Sequence, residues 1–355
     1  MGANLLFVRS GSVTSAGVRS ASGTSASLTL EDAEALIDQD KAPAVGAVAP
    51  DRQTFGQVVA GSENMNTRIL GVTPEYEQVR NYAIADGEFI TAQEDQARST
   101  VAVLGANVAA TLFADSSPVG QNVTINKKRF RVIGVLTPKG GSGMGNQDNL
   151  IVVPISTLMY RLDAQRTAGG GRTVSTINVQ AVDEASIDTA VQQIGNILRD
   201  RHRITGEDDF TVTSQEDMLA SMQQVAGAMT LFLGAIAGIS LLVGGIGIMN
   251  IMLVSVKERT REIGLRMAVG ARSGDILLQF LVEAMVLSAV GGVIGTAVGA
   301  GAAMIVSSVY GWPVLVSTSS VLLAFLFAAA VGGFFGLYPA FRASRLNPIE
   351  ALRYE

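Results

Sequence analysis

Apolar residues are concentrated in the C-terminal part of the chain. No charged residue lies between Met218 and Val256, and between Asp275 and Arg342 the only one is Glu283. Each tract exceeds the roughly 20 residues needed to cross about 30 Å of hydrocarbon. The pattern predicts three membrane helices, at about 226–255, 275–307 and 318–341.

Residues 1–217 have a different pattern, in which short apolar runs are separated by Pro, Gly, Ser, Asp and Arg. Runs such as VGAVAP, STVAVLG, NVTINKKRFRVIGVL and NLIVVP predict strands, with a hairpin turn at Asn126 and Lys127. TLEDAEALIDQD, TPEYEQVRNY and ASIDTAVQQIGNILRD predict helices. We therefore predict an α+β domain of two subdomains, with a strand-rich middle inserted at about 84–155, followed by an all-α transmembrane domain at 218–355.

The first membrane helix is longer than a bilayer requires. Ser214 followed by Asp217 resembles a capping box, and a helix from there to Val256 would be on the order of 60 Å long. Its early part mixes polar residues with methionines at helical spacing, which predicts an amphipathic stalk above the membrane. The alternative is a loose linker that leads into an ordinary span.

The distribution of Lys and Arg predicts the orientation in the membrane. Both 256–274 and 342–355 are basic, whereas the loop at 308–317 has no Lys or Arg. By the positive-inside rule, the two basic segments face the cytoplasm, so residues 1–217 are extracytoplasmic and the chain is a multi-pass protein of the cell (inner) membrane. The opening MGANLLFVRSG has no visible signal peptide. We therefore expect a preceding span or a different start site.

The residues that common enzymes need are not found in suitable patterns. The chain has one histidine and no cysteine, which leaves no zinc cluster, and no lysine followed by Ser or Thr completes a P-loop. We interpret His202, within RDRHR, as a solvated residue, and KGGSGMGNQ as a mobile connector in preference to a phosphate cradle. The net charge of −5 gives no sign of nucleic-acid binding. We predict a non-catalytic protein without cofactor or metal.

Two features of the membrane tracts suggest helix packing. Glu283 lies about eight residues into the second span, where a carboxylate is costly unless paired, so we expect it to face protein; a role in proton or substrate handling is the alternative. Seven glycines keep four-residue spacing, which favours close helix packing or dimerisation. They are Gly234, Gly238, Gly291, Gly295, Gly299, Gly332 and Gly336.

The basic segment VKERTREIGLRMAVGAR, at about 256–272, predicts an amphipathic helix at the cytoplasmic surface. Apolar residues and glycine share one face, and Glu258 with Arg261 and Glu262 with Arg266 form pairs elsewhere. Composition alone favours a helix that rests on membrane lipid headgroups. The predicted apolar face consists of Val256, Thr260, Ile263, Met267 and Gly270.

The amino-acid sequence of this segment supports a second interpretation. ERTREIGLRMAVGAR, continued by DILLQFLVEA, resembles the cytoplasmic signature of the FtsX-like permeases of ABC transporters, and NPIEALRYE resembles that family's ending. Upstream, LGVTPEYEQVRNY, ADGEFIT, VAVLGANVAATLF and PVGQNVTINKKRFRVIGVL resemble the MacB-type periplasmic core domain. The resemblance implies a permease with four membrane helices, of which this sequence lacks the first.

The resemblance also implies a mechanism and partners. ATP binding to a cytoplasmic ABC ATPase would move the coupling helix, and the stalk would transmit the movement to the outer domain of a permease dimer. The leading hypothesis is efflux of drugs, peptides or toxins with a periplasmic adaptor and an outer-membrane channel. The alternative is a lipoprotein-releasing or cell-wall-hydrolase-regulating complex. The residues expected to contact the ATPase are Glu258, Arg259, Glu262, Ile263, Arg266 and Met267.

Overall fold

The computed structural model describes residues 4–11, 14–15, 18–19, 27–114, 116–140, 146–163, 170–310 and 314–352. It divides into two compact units, Met1–Gln223 and Gln224–Glu355, which we call the head and the membrane unit. The centre of the predicted connector KGGSGMGNQ, 141–145, lies outside the described residues.

The head is built from strands and short helices. Its strands are β1 (Leu5–Ser10), β2 (Thr14–Ser15), β3 (Val18–Arg19), β4 (Val45–Ala60), β5 (Glu63–Val72), β6 (Ile84–Gly87), β7 (Val101–Leu104), β8 (Asn122–Ile125), β9 (Lys128–Leu136), β10 (Leu150–Pro154), β11 (Thr176–Ala181) and β12 (Phe210–Ser214). Its helices are α1 (Leu30–Ala35), α2 (Tyr76–Val79), α3 (Ala92–Gln96), α4 (Ala106–Phe113), α5 (Ile155–Thr157), which continues as a π-helical turn (Leu158–Leu162), and α6 (Ile187–His202).

One mixed sheet runs through the head. Its order is β12-β1-β11-β4-β5-β10-β7-β9-β6, and β8 pairs with β4 and β9. The long strand β4 pairs with β11 through its first half and with β5 through its second half. The predicted α+β class is confirmed, and β4 joins the two parts of the sheet because it pairs with both β11 and β5. The inserted subdomain at about 84–155 stays a prediction.

Helices cover different parts of this sheet. Helices α1 and α6 pack on the β1, β4 and β11 region around Leu6, Leu36 and Ile194, all fully buried. Helix α4 packs on the strand-rich middle around Phe130 and Ile151. Full burial of one such side chain contributes about 1.5–3 kcal/mol, so each region has its own stabilising core.

The hairpin predicted at Asn126 and Lys127 joins β8 to β9. Both residues have positive φ, 47° and 68°, as a two-residue turn of type I′ requires. The side-chain oxygen of Asn126 also accepts a hydrogen bond from the backbone N–H of Gln57, at 3.2 Å. The turn is therefore attached to the neighbouring strand β4.

The interpretation of His202 as a solvated residue is wrong. Its side chain is only 11% exposed and lies between two carboxylates. Nδ1 is 2.8 Å from Asp209 and Nε2 is 3.1 Å from Asp32, and Arg201 donates to Asp32 at 2.8 Å. The hydrogen bond to Asp32, helped by Asp209 against the effect of burial, raises the pKa of His202 to about 9. A protonated His202 therefore ties the end of α6 to the start of α1 and to the segment before β12.

The His202 cluster predicts that the head loses stability at alkaline pH. The folded pKa of about 9 exceeds the ordinary value of 6.5, so the contribution is complete below about pH 6.5 and disappears as the pH rises through 9. We expect His202→Gln to lower the free energy of unfolding by about 2–3 kcal/mol at pH 6 and to flatten its decline between pH 7 and 10. The measurement is the thermal unfolding of the unchanged protein and of His202→Gln from pH 6 to pH 10. Parallel pH profiles of the two proteins would contradict the stabilising role of protonated His202.

The membrane unit consists of helices. They are α7 (Gln215–Glu258), which begins in the head, α8 (Thr260–Ala268), α9 (Ser273–Tyr310), α10 (Thr318–Ser344) and α11 (Pro348–Leu352). Of these, α7, α9 and α10 are long and apolar enough to cross a membrane, as the sequence predicts.

Helix α7 begins with the capping box that the sequence suggests. The Ser214 Oγ accepts from the Asp217 N–H at 2.9 Å, and the Asp217 carboxylate accepts from the Ser214 N–H at 3.1 Å. The helix then continues for 44 residues, about 66 Å at 1.5 Å per residue. The structure therefore has one unbroken helix where the alternative placed a loose linker, and a stalk that stands above the membrane stays a prediction.

Candidate functional site

The basic segment at 256–272 contains two bends where a single helix was expected. Helix α7 ends at Glu258, Arg259 takes a non-helical backbone conformation, and α8 covers only Thr260–Ala268. The Thr260 hydroxyl donates to the Val256 and Lys257 carbonyls at 3.0 and 2.8 Å, which satisfies acceptors freed by the bend. Hydrogen bonds from Arg259 N to Ser255 O and from Ile263 N to Arg259 O, both 3.0 Å, keep the two helices directly connected.

The second bend lies at Gly270. Its φ is +105°, a conformation that glycine adopts readily and other residues adopt only with strain. The N–H of Ala271 bonds to the Arg266 carbonyl at 3.0 Å, and the Asp275 carboxylate accepts from the Arg272 N–H at 3.0 Å. Helix α8 is therefore held between two defined turns.

A hydrophobic cluster joins α8 to the cytoplasmic ends of the long helices. Val256 and Met252 of α7, Phe280 of α9 and Ala340 of α10 pack together with Ile263. Ile263 is only 1% exposed. In this chain Ile263 therefore packs inside the cluster and holds α8 in place; its contact with the ATPase stays a prediction. Met267 packs partly buried against the same cluster.

The C-terminal helix α11 also packs against α8. A Cβ added to Gly264 would lie 2.7 Å from the Ala351 Cβ, so only glycine allows this close approach. Asn347 precedes α11 and accepts from the Ile349 N–H at 3.1 Å, in the capping position expected before Pro348. The signature segment and the family-like ending therefore form one packed structure.

Charged residues surround this structure. Glu262 and Arg266 form the expected ion pair at 2.6 Å, and Arg266 also donates to the Gln279 side chain at 2.9 Å. Arg259 lies 3.4 Å from Glu283, which gives the acidic residue of the second span a partner. Because both ion pairs are about half exposed, they orient side chains more than they stabilise the fold.

The outer face of α8 is open and mixed in character. Glu258 and Glu262 are exposed, as are Arg261 and two apolar residues that sequence reasoning missed. Leu265 is 59% exposed and Val269 is 82% exposed. Their spacing follows the stripe opposite to Ile263 and Met267, so the helical periodicity contained the signal. An exposed face of charged and apolar residues suits a protein contact.

The predicted packing glycines fall into two groups. A Cβ at Gly332 or Gly336 would collide with Ser288 or Ala284 of α9, so these two allow α9 and α10 to touch. The remaining five have open space around them within the described residues: Gly234, Gly238, Gly291, Gly295 and Gly299. Gly245, whose added Cβ would strike the Phe335 ring, is a close approach that the four-residue spacing did not reveal.

These glycines give a matched pair of substitutions. We expect Gly336→Leu to lower the stability of the membrane unit by about 1–3 kcal/mol, because the larger side chain overpacks a closed contact. Gly299→Leu places the same side chain in open space and is expected to leave stability unchanged. Thermal unfolding in detergent micelles measures both. Equal losses from the two variants would contradict the packing described.

Comparison with known proteins agrees with this arrangement. The family model of the MacB-like periplasmic core domain matches residues 1–197. The chain belongs to the MacB-like permease family. A second model, the FtsX-like permease C-terminal domain, matches residues 234–348 and so includes α8 and most of the surrounding cluster. This MacB-like ABC transporter permease is a multi-pass membrane protein with a periplasmic domain.

Curated relatives extend over the whole chain. The chain is 44% identical to the macrolide export ATP-binding/permease protein MacB of Bdellovibrio bacteriovorus, of which it covers 54%, and 42% identical to that of Rhodospirillum rubrum, of which it covers 52%. It therefore spans about half the length of these relatives.

A solved structure shows the same fold for the head. The periplasmic region of MacB from Actinobacillus actinomycetemcomitans matches with a TM-score of 0.50 and 22% identity, over 62% of this chain and 94% of that one.

Proposed function

We propose that this permease transmits ATP-driven movement from the cytoplasm to its periplasmic head. The observation that carries the proposal is helix α7, which is unbroken from its cap at Ser214 to Glu258 and is followed directly by α8. A movement imposed on α8 has a continuous helix through which to reach the head.

The exposed face of α8 is the proposed contact for the ATPase. It consists of Glu262 and Leu265 of α8 together with Glu258 at the end of α7, and the half-exposed Arg259 and Arg266 lie at its edge. Ile263, Met267 and Gly264 support this face from within. We assign ATP hydrolysis to an ABC ATPase, because the relatives are named as ATP-binding/permease proteins.

We propose that the movement drives the efflux of a substrate. Relatives at 39–44% identity are named macrolide export proteins, which favours export of drugs, peptides or toxins with a periplasmic adaptor and an outer-membrane channel by a permease dimer. In the lipoprotein-releasing and hydrolase-regulating alternatives, the same movement would act on a lipoprotein or on a cell-wall hydrolase.

An accumulation assay distinguishes macrolide export from lipoprotein release. Bacteria that lack their own macrolide exporter would express this chain with its ATPase and adaptor, and the intracellular concentration of a labelled macrolide would be measured. Export predicts a lower concentration that returns to the control value when the ATPase carries an inactive Walker lysine. Unchanged macrolide together with impaired lipoprotein release after depletion of the chain would favour the alternative.

A further inference from the structure

An open cleft in the head is lined by three arginines from three different elements. Arg98 follows α3, Arg131 lies in β9, and Arg161 lies in the π-helical turn after α5. Most of the remaining lining is polar, including Gln93, Ser99 and Thr100. All three arginines are exposed, so their guanidinium groups are available to a ligand from solvent.

These arginines are not neutralised within the described part of the chain. The ion pairs found there include none of the three. The one carboxylate in the lining, Glu94, accepts hydrogen bonds from the Thr91 N–H and hydroxyl, both at 3.0 Å. The cleft therefore keeps an excess of positive charge in a chain whose net charge is −5.

Arg98 occupies a position where glycine would normally be favoured. Its φ of +52° is left-handed, the usual conformation for glycine just beyond a helix end. The guanidinium lies 3.5 Å from the centre of the Tyr160 ring. That ring position orients the cation while leaving its charge intact. Tyr160 and Arg161 belong to the π-helical turn, a rare conformation that is frequent at functional sites.

The chemistry of the cleft fits phosphate groups. The planar guanidinium binds phosphate oxygens in pairs, and several such groups around one cleft suit a ligand with more than one negative charge. The polar lining provides further hydrogen-bonding groups and little surface for an apolar body. We propose that this cleft binds a phosphate-bearing ligand on the periplasmic side, either a soluble compound or a lipid headgroup.

Calorimetric titration of inorganic pyrophosphate tests this directly. The full chain would be held in phosphatidylcholine nanodiscs at fixed ionic strength. Arg131→Gln and Arg161→Gln are each expected to weaken binding about tenfold, since each removes a charge-assisted contact. Arg129→Gln is the matched control, because Arg129 is exposed on the same strand but does not line the cleft; its affinity should equal that of the unchanged protein.

Arg98→Gly separates binding from folding. It relieves the left-handed backbone strain, so Tm should not fall, yet pyrophosphate affinity should drop about tenfold. Absence of pyrophosphate binding, or an equal loss in Arg129→Gln, would overturn the proposal. Binding of hexaglutamate without pyrophosphate would also overturn it, in favour of an acidic protein segment. Competition by phosphatidylglycerol vesicles identifies a lipid headgroup as the source, and lack of competition identifies a soluble compound.

Discussion

Leu265→Asp is expected to abolish the stimulation of ATP hydrolysis by this permease while leaving the permease folded. Leu265 is 59% exposed on the outer face of α8 and is not part of the hydrophobic cluster around Ile263, so the substitution leaves that cluster intact. At a protein interface, however, an aspartate in place of a leucine loses apolar contact and brings an unpaired charge into a desolvated position. We expect ATP hydrolysis in proteoliposomes to fall to the unstimulated rate of the ATPase.

Two control variants separate the loss of an ATPase contact from a general effect of the new charge and from unfolding. Leu315→Asp makes the same change at a leucine that is 94% exposed in the loop before α10, far along the chain from α8, and should leave stimulation intact. Ile263→Asp places the charge in the buried cluster and should lower Tm as well as activity. Normal stimulation by Leu265→Asp would rule out this face as the ATPase contact.

The second large effect is expected from Val225→Pro. Val225 is 60% exposed in α7, near the start of the long helix and before the predicted span. A proline in a helix interior removes a hydrogen bond, clashes with the preceding turn and costs about 3 kcal/mol locally. We expect the resulting kink to leave the head and the membrane unit folded but to uncouple transport from ATP hydrolysis.

Val225→Ala is the matched control for this prediction. Alanine keeps the helix and removes little packing at an exposed position, so transport should match that of the unchanged protein. Transport per ATP hydrolysed is the quantity to compare. Equal coupling in the proline and alanine variants would contradict transmission through a rigid α7.

The sequence predicted elements well where the signal is local. The capping box at Ser214 and Asp217, the hairpin at Asn126 and Lys127, and the three apolar tracts all depend on neighbouring residues. The end of α8 before Gly270 was not predicted, because Gly270 was expected on the apolar face of one helix at about 256–272. The bend at Arg259 was not predicted either, because no glycine or proline marks it in the sequence.

Long-range contacts explain the errors. His202 is paired with Asp32, which lies 170 residues away, so no local pattern could show that it is buried. Of the predicted apolar face, Val256, Ile263 and Met267 pack within the chain, whereas Gly270 is exposed. Periodicity cannot distinguish a face that packs within the chain from a face that meets a partner. For the same reason, the spacing of the glycines could not separate Gly336, in a closed contact, from Gly299, in open space.

The central claim is that movement at α8 reaches the head through α7. The chain contains no cysteine, so a single Thr189→Cys change places one spin label on the exposed surface of α6 in each copy of the proposed dimer. Electron–electron double resonance on the permease assembled with its ATPase would compare the distance between the labels with and without ATP. The account predicts a shift with ATP that disappears in Val225→Pro; an unchanged distance, or a shift that survives the proline, would contradict it.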